Sequence, residues 1–195
     1  MGVTALWVGD SFTRGEGADV PENQTYPYLV SARLGWQCHV DAQNGTGFVN
    51  DGFLAGPGLA PLIERLPGTA RQVRADIVIV DAGRNDCIAA GPAVRAAVTG
   101  YLTALRDAYP GGRLAIVLPT LLSQWQPPEY RHVAAVLRDA GPAYGADVVD
   151  PASVAGFAAP GAGPPLVCLD GFHPSAAGQA YYADVLTQLL LRAGQ

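Results

Sequence analysis

The sequence has few charged residues and no cluster of basic ones. Charged residues make up 15% of its 195 residues, and the formal net charge is -5. Nucleic acids and anionic membrane surfaces are bound through dense patches of Lys and Arg. The composition therefore argues against both as main partners and favours a small-molecule substrate, while leaving the oligomeric state open.

Long apolar runs are also missing. A membrane-spanning helix needs about 20 consecutive apolar residues, and no run approaches that length. No basic segment followed by an apolar stretch precedes the first predicted strand, so we recognise no secretory signal. We expect a cytoplasmic protein, or a secreted one if a leader has been removed.

Cysteine is scarce, with three residues at Cys38, Cys87 and Cys168. An odd number without an export signal favours free thiols. Cys87 and Cys168 each lie beside a motif described below, so a disulfide between them in an oxidising compartment is the alternative. The spacing does not suggest a zinc site.

Hydrophobic residues make up 49% of the sequence, which is enough for a large core in one domain over residues 1–195. Apolar runs predict strands at 3–8, 36–42, 76–80, 114–118 and 147–149. Helical patterns between them predict helices at 27–34, 59–66, 92–109, 130–140 and 174–191. Alternating strands and helices predict an α/β three-layer sandwich with a five-stranded parallel sheet.

The first predicted strand ends in Gly9-Asp10-Ser11. Ligands of open α/β sheets bind outside the carboxyl ends of the strands, so Ser11 lies where a nucleophile is expected. The same pattern is typical of a turn followed by an N-cap. Taken alone, it favours that structural interpretation.

Three further motifs occur in order along the chain: Asn44-Gly45, Gly83-Arg84-Asn85-Asp86 and Asp170-Gly171-Phe172-His173. Together with Gly9-Asp10-Ser11, they resemble the four sequence blocks of the SGNH hydrolases, also called the GDSL esterase/lipase family. The resemblance spans nearly the whole chain and implies a flavodoxin-like sandwich, and we expect no cofactor. Phe12 stands where the family has leucine, which we expect to alter packing and not chemistry.

A serine hydroxyl needs an adjacent base to act as a nucleophile, and His173 is the best candidate. Asp170 precedes His173 by three residues, so both side chains can point to one side of a turn. Asp170 would fix the imidazole tautomer, and the other ring nitrogen would take the proton of Ser11. Alternatively, Asp170 and Ser175 only cap the helix that follows.

A tetrahedral intermediate also needs donors for its oxyanion. The resemblance supplies the backbone N–H groups of Ser11 and Gly45 and the side-chain amide of Asn85. The missing side chain of Gly45 would let a substrate approach its N–H group. Asn-Gly is also a common turn, and Asn85 is equally typical of one.

Two other acidic residues, Asp10 and Asp86, are expected to bond backbone N–H groups of nearby loops. A metal site built from Asp10, Asp86, Asp170 and His173 is the rival hypothesis. No close-spaced pair of ligands on one helix or strand supports it, and we expect no metal.

Three Gly/Pro-rich loops follow strands and should rim the site, namely 45–58, 119–128 and 151–166. Their isolated aromatic residues Phe48, Phe53 and Trp125 are candidate substrate-binding walls, or rings that pin the loops to the body. The loops carry few large side chains and no insertion resembles a lipase lid. These features favour a shallow pocket for a small acyl group.

The leading hypothesis is a serine hydrolase that cleaves a small, acetyl-like ester of a polar alcohol or sugar through an acyl-enzyme. An acyltransferase with the same Ser-His-Asp machinery is the first alternative. The second is a non-catalytic flavodoxin-like module that holds a phosphate in the loop at 11–17. Gly9, Gly15 and Gly17 do not have a G-x-G-x-x-G spacing, which counts against that module.

Overall fold

The protein is described by a computed structural model that covers residues 2–159, 161 and 163–194. Residues 160 and 162 of the third predicted loop lie outside the described residues. The strands are β1 (Thr4–Gly9), β2 (Gln37–Ala42), β3 (Ile77–Asp81), β4 (Arg113–Val117) and β5 (Ala146–Val149). They form one parallel sheet in the order β2-β1-β3-β4-β5. Every predicted strand is present, with its ends displaced by one residue at most.

Six helices accompany the sheet: α1 (Ser11–Arg14), α2 (Tyr26–Leu34), α3 (Leu62–Gln72), α4 (Gly91–Ala108), α5 (Tyr130–Ala140) and α6 (Ala176–Ala193). Five of them correspond to predicted helices. The single turn α1 was not predicted, because its four residues are too short to show an apolar periodicity.

Helix α3 departs most from its prediction at 59–66, since it begins at Leu62 and runs on through Pro67. A proline inside a helix removes one backbone hydrogen bond and normally ends the pattern. The second half of α3 is anchored to the sheet instead. The Thr69 hydroxyl donates to Asp41 Oδ2 at 2.6 Å, and Arg65 forms an ion pair with the same carboxylate.

The helices cover both faces of the sheet. Side chains of α3, α4 and α5 pack with one set of alternating strand residues, including Leu6 and Val8. Side chains of α2 and α6 pack with the other set, including Ala5 and Trp7. This arrangement confirms the predicted three-layer sandwich. Among the described helices, none is both long and apolar enough to cross a lipid bilayer.

The strand order places the functional motifs at one edge. The chain runs outward from β1 to β2, then crosses back past β1 to β3 and continues outward through β4 and β5 on the other side. The direction of winding therefore reverses between β1 and β3. Such a reversal opens a crevice at the carboxyl ends of the strands, where α/β proteins bind ligands. Ser11 follows β1 and Asn85 follows β3, and the two residues therefore border this crevice.

Candidate active site

Ser11 opens the single-turn helix α1 directly behind β1. Asp10 caps this helix, since its Oδ1 accepts the N–H of Phe12 at 2.9 Å. The turn is tight, because a Cβ atom at Gly9 would lie 1.9 Å from the hydroxyl oxygen of Thr13. Strand, glycine and cap together present the Ser11 side chain at the carboxyl edge of the sheet, where it is 5% exposed.

The three residues predicted to relay a proton are joined by consecutive hydrogen bonds. His173 Nε2 is 2.9 Å from Ser11 Oγ, and His173 Nδ1 is 2.7 Å from Asp170 Oδ2. Asp170 Oδ1 also accepts the backbone N–H groups of Phe172 and His173. The hydrogen bond from the imidazole and those from the backbone hold the pKa of the Asp170 carboxyl below its usual value. An ionised Asp170 can orient the ring while Nε2 takes a proton from the serine.

The segment before α6 holds His173 in place. The N–H of Cys168 donates to the carbonyl of His173 at 2.8 Å, and Val167 forms an antiparallel bridge with Pro174. Ser175 caps α6, because its hydroxyl accepts the N–H of Gly178. The capping function considered for Asp170 therefore belongs to Ser175, and the Asp170 carboxylate is free to bond the imidazole.

Asn85 lies on a 3-10 turn directly after β3 and faces the loop that contains Gly45. One N–H of its amide donates to the carbonyl of Thr46 at 2.9 Å, which leaves the second for a ligand. Gly45 adopts a left-handed φ of 70°, and a Cβ there would lie 2.8 Å from that of Ala55. Within the described part of the chain, the N–H groups of Ser11 and Gly45 have no protein acceptor.

A buried carboxylate fixes the Gly45 loop. Asp86 is fully buried and accepts the backbone N–H groups of Phe48, Val49 and Asn50 at 2.8–2.9 Å. The approach is possible because residue 47 is glycine, since a Cβ there would lie 2.3 Å from Asp86 Oδ2. Asp86 follows Asn85 directly, so the short turn that carries the Asn85 amide also fixes the Gly45 loop.

A buried ionic cluster lies beside the turn that carries Ser11 and is centred on Arg84. Its Nη1 donates to Asp81 Oδ1 at 2.7 Å and is 3.5 Å from Asp10 Oδ2, while its Nε donates to the carbonyl of Thr120. The guanidinium carbon lies 4.1 Å from the centre of the Phe12 ring, a cation–π contact. The cluster thus joins the cap of α1 to the loops after β3 and β4.

The charges of this cluster depend on one another. Burial raises the pKa of Asp10 to about 6, against the attraction of Arg84. Burial also opposes the charge of Arg84, but Asp81 and Asp10 outweigh it and raise the guanidinium pKa above its usual value. The hydroxyls of Tyr26 and Tyr182 donate to Asp81 Oδ2 at 2.7 and 3.2 Å. Burial and the nearby Asp81 carboxylate raise the pKa values of both phenols.

A cavity of about 400 Å³ opens beside Gly45 and Asn85. Its other walls are mainly apolar and include Leu54, Cys87, Ile88, Tyr130 and Phe172. Sequence reasoning missed these walls. Three of them lie in or beside recognised motifs, because Cys87 and Ile88 follow Asp86 and Phe172 precedes His173, and that adjacency was an available signal.

The three predicted aromatic walls lie elsewhere. Phe48 is buried in the core, where its ring centre lies 5.6 Å from that of Tyr101. Its ring matches the alternative of an aromatic residue that pins its loop to the body, and it does not line the cavity. The bonds from Asp86 pull the loop inward and turn this ring away from the crevice. Phe53 and Trp125 are 80% and 63% exposed and do not line the cavity.

The remaining candidate chemistry involves thiols and metal ligands. All three cysteines are free, and the thiol of Cys168 donates to the carbonyl of Gly17. Among the described residues, no three His, Cys, Asp or Glu side chains converge in a way that could hold a metal ion. Asp10 and Asp86 instead bond backbone N–H groups, as predicted.

Known structures share this architecture. The chain superimposes on a carbohydrate esterase family 2 enzyme from Corynascus thermopiles (Myceliophthora fergusii) with a TM-score of 0.74 and 21% identity, covering 98% of this chain and 66% of that one. A carbohydrate acetylesterase from Sinorhizobium meliloti gives 0.73 and 16%, over 97% and 99% of the two chains. The M. smegmatis aryl esterase gives 0.74 and 16%, over 98% and 99%.

These identities are low, so the structural likenesses establish the fold alone. The chain spans about two thirds of the length of the family 2 esterase, which also contains a carbohydrate-binding domain. Comparison with curated protein sequences gives no match. The model of the GDSL-like Lipase/Acylhydrolase family matches residues 7–181, a range that includes Ser11, Asn85 and His173. The chain therefore belongs to the GDSL-like lipase/acylhydrolase family.

Proposed function

We propose that the chain is an esterase that removes a small, acetyl-like acyl group from a polar alcohol or sugar, with Ser11, His173 and Asp170 as its catalytic triad. The observation that carries this proposal is the relay itself. Ser11 Oγ lies 2.9 Å from His173 Nε2, and His173 Nδ1 lies 2.7 Å from Asp170 Oδ2. Both distances are those of hydrogen bonds able to pass and stabilise a proton.

In the first half-reaction, Ser11 Oγ attacks the ester carbonyl while His173 Nε2 takes the hydroxyl proton. The C–O bond to the alcohol then breaks, and His173 returns the proton to the leaving oxygen. Water repeats the sequence on the acyl-enzyme, again through His173. The ionised Asp170 holds the ring in one tautomer and stabilises the imidazolium formed at each attack.

The oxyanion of each tetrahedral intermediate would lie between Ser11, Gly45 and Asn85. Support comes from two backbone N–H groups without a protein acceptor and from an amide whose first N–H is already bound to Thr46. Because Asp86 fixes the loop beforehand, little reorganisation is needed when the negative charge develops.

The surroundings of the relay support a small acyl group and a polar alcohol. The apolar cavity beside Asn85 offers Cys87 and Ile88 as walls for the acyl methyl group. The alcohol would leave on the side of His173, next to the half-exposed Asp170 carboxylate. A solvated carboxylate there favours a polar leaving alcohol. The carbohydrate acetylesterase among the structural relatives is consistent with this choice.

A p-nitrophenyl ester series from acetate to octanoate, together with an acetylated sugar, tests the proposal. We expect activity to fall steeply with chain length and to be lost in Ser11→Ala. A maximum at octanoate would contradict the small acyl group and indicate a lipase or long-chain thioesterase. Labelling of Ser11 by a fluorophosphonate without hydrolysis of any ester would indicate an acyltransferase instead.

The geometry of α1 counts against the phosphate-binding module. The N-terminus of this one-turn helix is already capped by the Asp10 carboxylate, whose oxygen accepts the N–H of Phe12. A phosphate would meet that carboxylate in place of free N–H donors. Fluorophosphonate labelling separates the two hypotheses, because a phosphate-binding module would leave Ser11 unlabelled.

A further inference from the structure

Phe12 is the residue at which the chain departs from the leucine of its family motif, and its ring lies against the proposed catalytic histidine. The Phe12 ring centre is 5.9 Å from that of His173 and 5.3 Å from that of Phe172. Phe172 in turn contacts His173 edge to face at 4.9 Å. These contacts make the three rings one cluster. Phe12 is fully buried, so this residue anchors the cluster in the core.

Arg84 contacts the same Phe12 ring. Its guanidinium carbon lies 4.1 Å from the Phe12 ring centre. The guanidinium is itself immobilised by Asp81, by the carbonyl of Thr120 and by the Tyr182 hydroxyl. The Phe12 ring therefore contacts both a fixed cation and the imidazole.

We propose that Phe12 and Arg84 form a positioning pair, in which the guanidinium fixes the Phe12 ring and the ring keeps the His173 imidazole in line with Ser11. This inference rests on the proposed function, because the alignment matters for proton transfer from Ser11. It assigns Phe12 an effect on turnover, whereas from the sequence we expect this residue to alter packing and not chemistry.

The geometry explains why such support is needed. The partner on the far side of the imidazole, Asp170, is on the surface with a half-exposed side chain, and surface hydrogen bonds orient a group less firmly than buried contacts. A leucine at position 12 would remove both the flat face that the guanidinium covers and the ring that packs beside the imidazole. Small displacements of a reacting group cost large factors in rate.

The decisive variant is Phe12→Leu, which restores the family residue and is expected to fold. With p-nitrophenyl acetate we expect kcat to fall by about fivefold or more, with KM changed by less than about twofold. The rate of Ser11 labelling by a fluorophosphonate should fall with kcat. Phe157→Leu is the matched control, since Phe157 is a buried ring 5.9 Å from that of Tyr181. It should lower the unfolding temperature by a similar amount and leave kcat unchanged.

Arg84→Lys tests the pair. Lysine keeps the charge for Asp81 but cannot cover the ring as a planar guanidinium does. We expect Arg84→Lys to lower kcat in the native background and to have little further effect in Phe12→Leu. If Arg84→Lys does not fold, Phe12→Leu decides alone.

Native kcat and labelling rate in folded Phe12→Leu, or an undiminished effect of Arg84→Lys in the Phe12→Leu background, would overturn the inference. The proposed function fails separately, when the unmodified protein neither hydrolyses the ester nor reacts with the probe.

Discussion

The Ser11 hydroxyl has one neighbouring base, and the two groups are expected to act as a unit. Ser11→Ala and His173→Ala should each lower kcat by about 10⁴-fold or more, because neither residue activates the reaction without the other. Asp170→Asn should be less severe, since water can reach the half-exposed side chain. Steady-state hydrolysis of p-nitrophenyl acetate measures the losses, and thermal unfolding checks that each variant folds. Near-native turnover in His173→Ala would show that another group is the base.

The side-chain amide of Asn85 is expected to act on the transition state more than on the bound ester. Asn85→Ala should lower kcat by about 10²–10³ with a smaller change in KM, because the bond strengthens as the oxyanion forms. The same ester assay measures both constants. A loss confined to KM would place Asn85 in substrate binding and remove it from the proposed oxyanion hole.

Individual residues differ in how well the sequence predicts their positions. Ser11, Asp170 and His173 were placed together because each lies in a motif at a strand end or before a helix. The sequence leaves Phe48 as either a pocket wall or a ring that pins its loop, because the direction of its side chain depends on Asp86, which is 38 residues away in the sequence. Long-range bonds of this kind leave no local pattern, so the walls of the cavity could not be derived from composition and spacing.

At the scale of elements, the loop between β2 and α3 depends on a missing side chain. Gly47→Ala would place a Cβ atom against the Asp86 carboxylate, so the loop should lose its three backbone bonds. We expect a loss of about 2–4 kcal/mol in the free energy of unfolding and a marked fall in kcat. Urea unfolding and the ester assay measure the two effects.

Gly68→Ala is the matched control for this change. Gly68 lies inside α3, and a Cβ there meets nothing within 4 Å. The substitution should be neutral or stabilising by about 0.5–1 kcal/mol, since alanine is the better helix former. Equal effects of the two substitutions would mean that the approach of Asp86 to the loop is unimportant.

Elements with a clear repeat were predictable, and those stabilised by distant partners were not. The apolar repeat in 92–109 predicts helix α4, and the residues that form this repeat are buried, namely Val94, Val98, Tyr101, Leu102 and Leu105. The end of α3 was not predicted, because the bonds of Arg65 and Thr69 to Asp41 carry the helix past Pro67. Only the folded sheet brings those partners together.

For the whole molecule, the buried cluster makes stability depend on pH. Asp10 has a folded pKa of about 6, above the usual 3.8 of an exposed aspartate. Between these values the folded protein keeps a proton that the unfolded chain has lost. The contribution of Asp10 to stability is therefore largest below pH 3.8 and is lost as the pH rises through 6.

Asp10→Asn should remove this dependence while keeping an oxygen to cap α1. Relative to the native protein, we expect the variant to gain on the order of 1–3 kcal/mol between pH 4 and pH 7. Urea unfolding of both proteins at the two pH values gives the difference directly. Parallel pH profiles would show that Asp10 does not titrate in this range.

The bonds that Asp86 makes to the Gly45 loop have a further consequence for the rate at which backbone protons exchange with solvent. Amide protons in loops normally exchange within seconds, because loops open without unfolding the domain. The N–H groups of Phe48, Val49 and Asn50 instead point at a buried carboxylate. We expect their deuterium uptake to be as slow as that of β3, while the N–H of Phe53, which donates to the exposed side chain of Asp51, exchanges much faster. Fast uptake at all four positions would mean that the Gly45 loop, next to Ser11, opens and closes freely in solution.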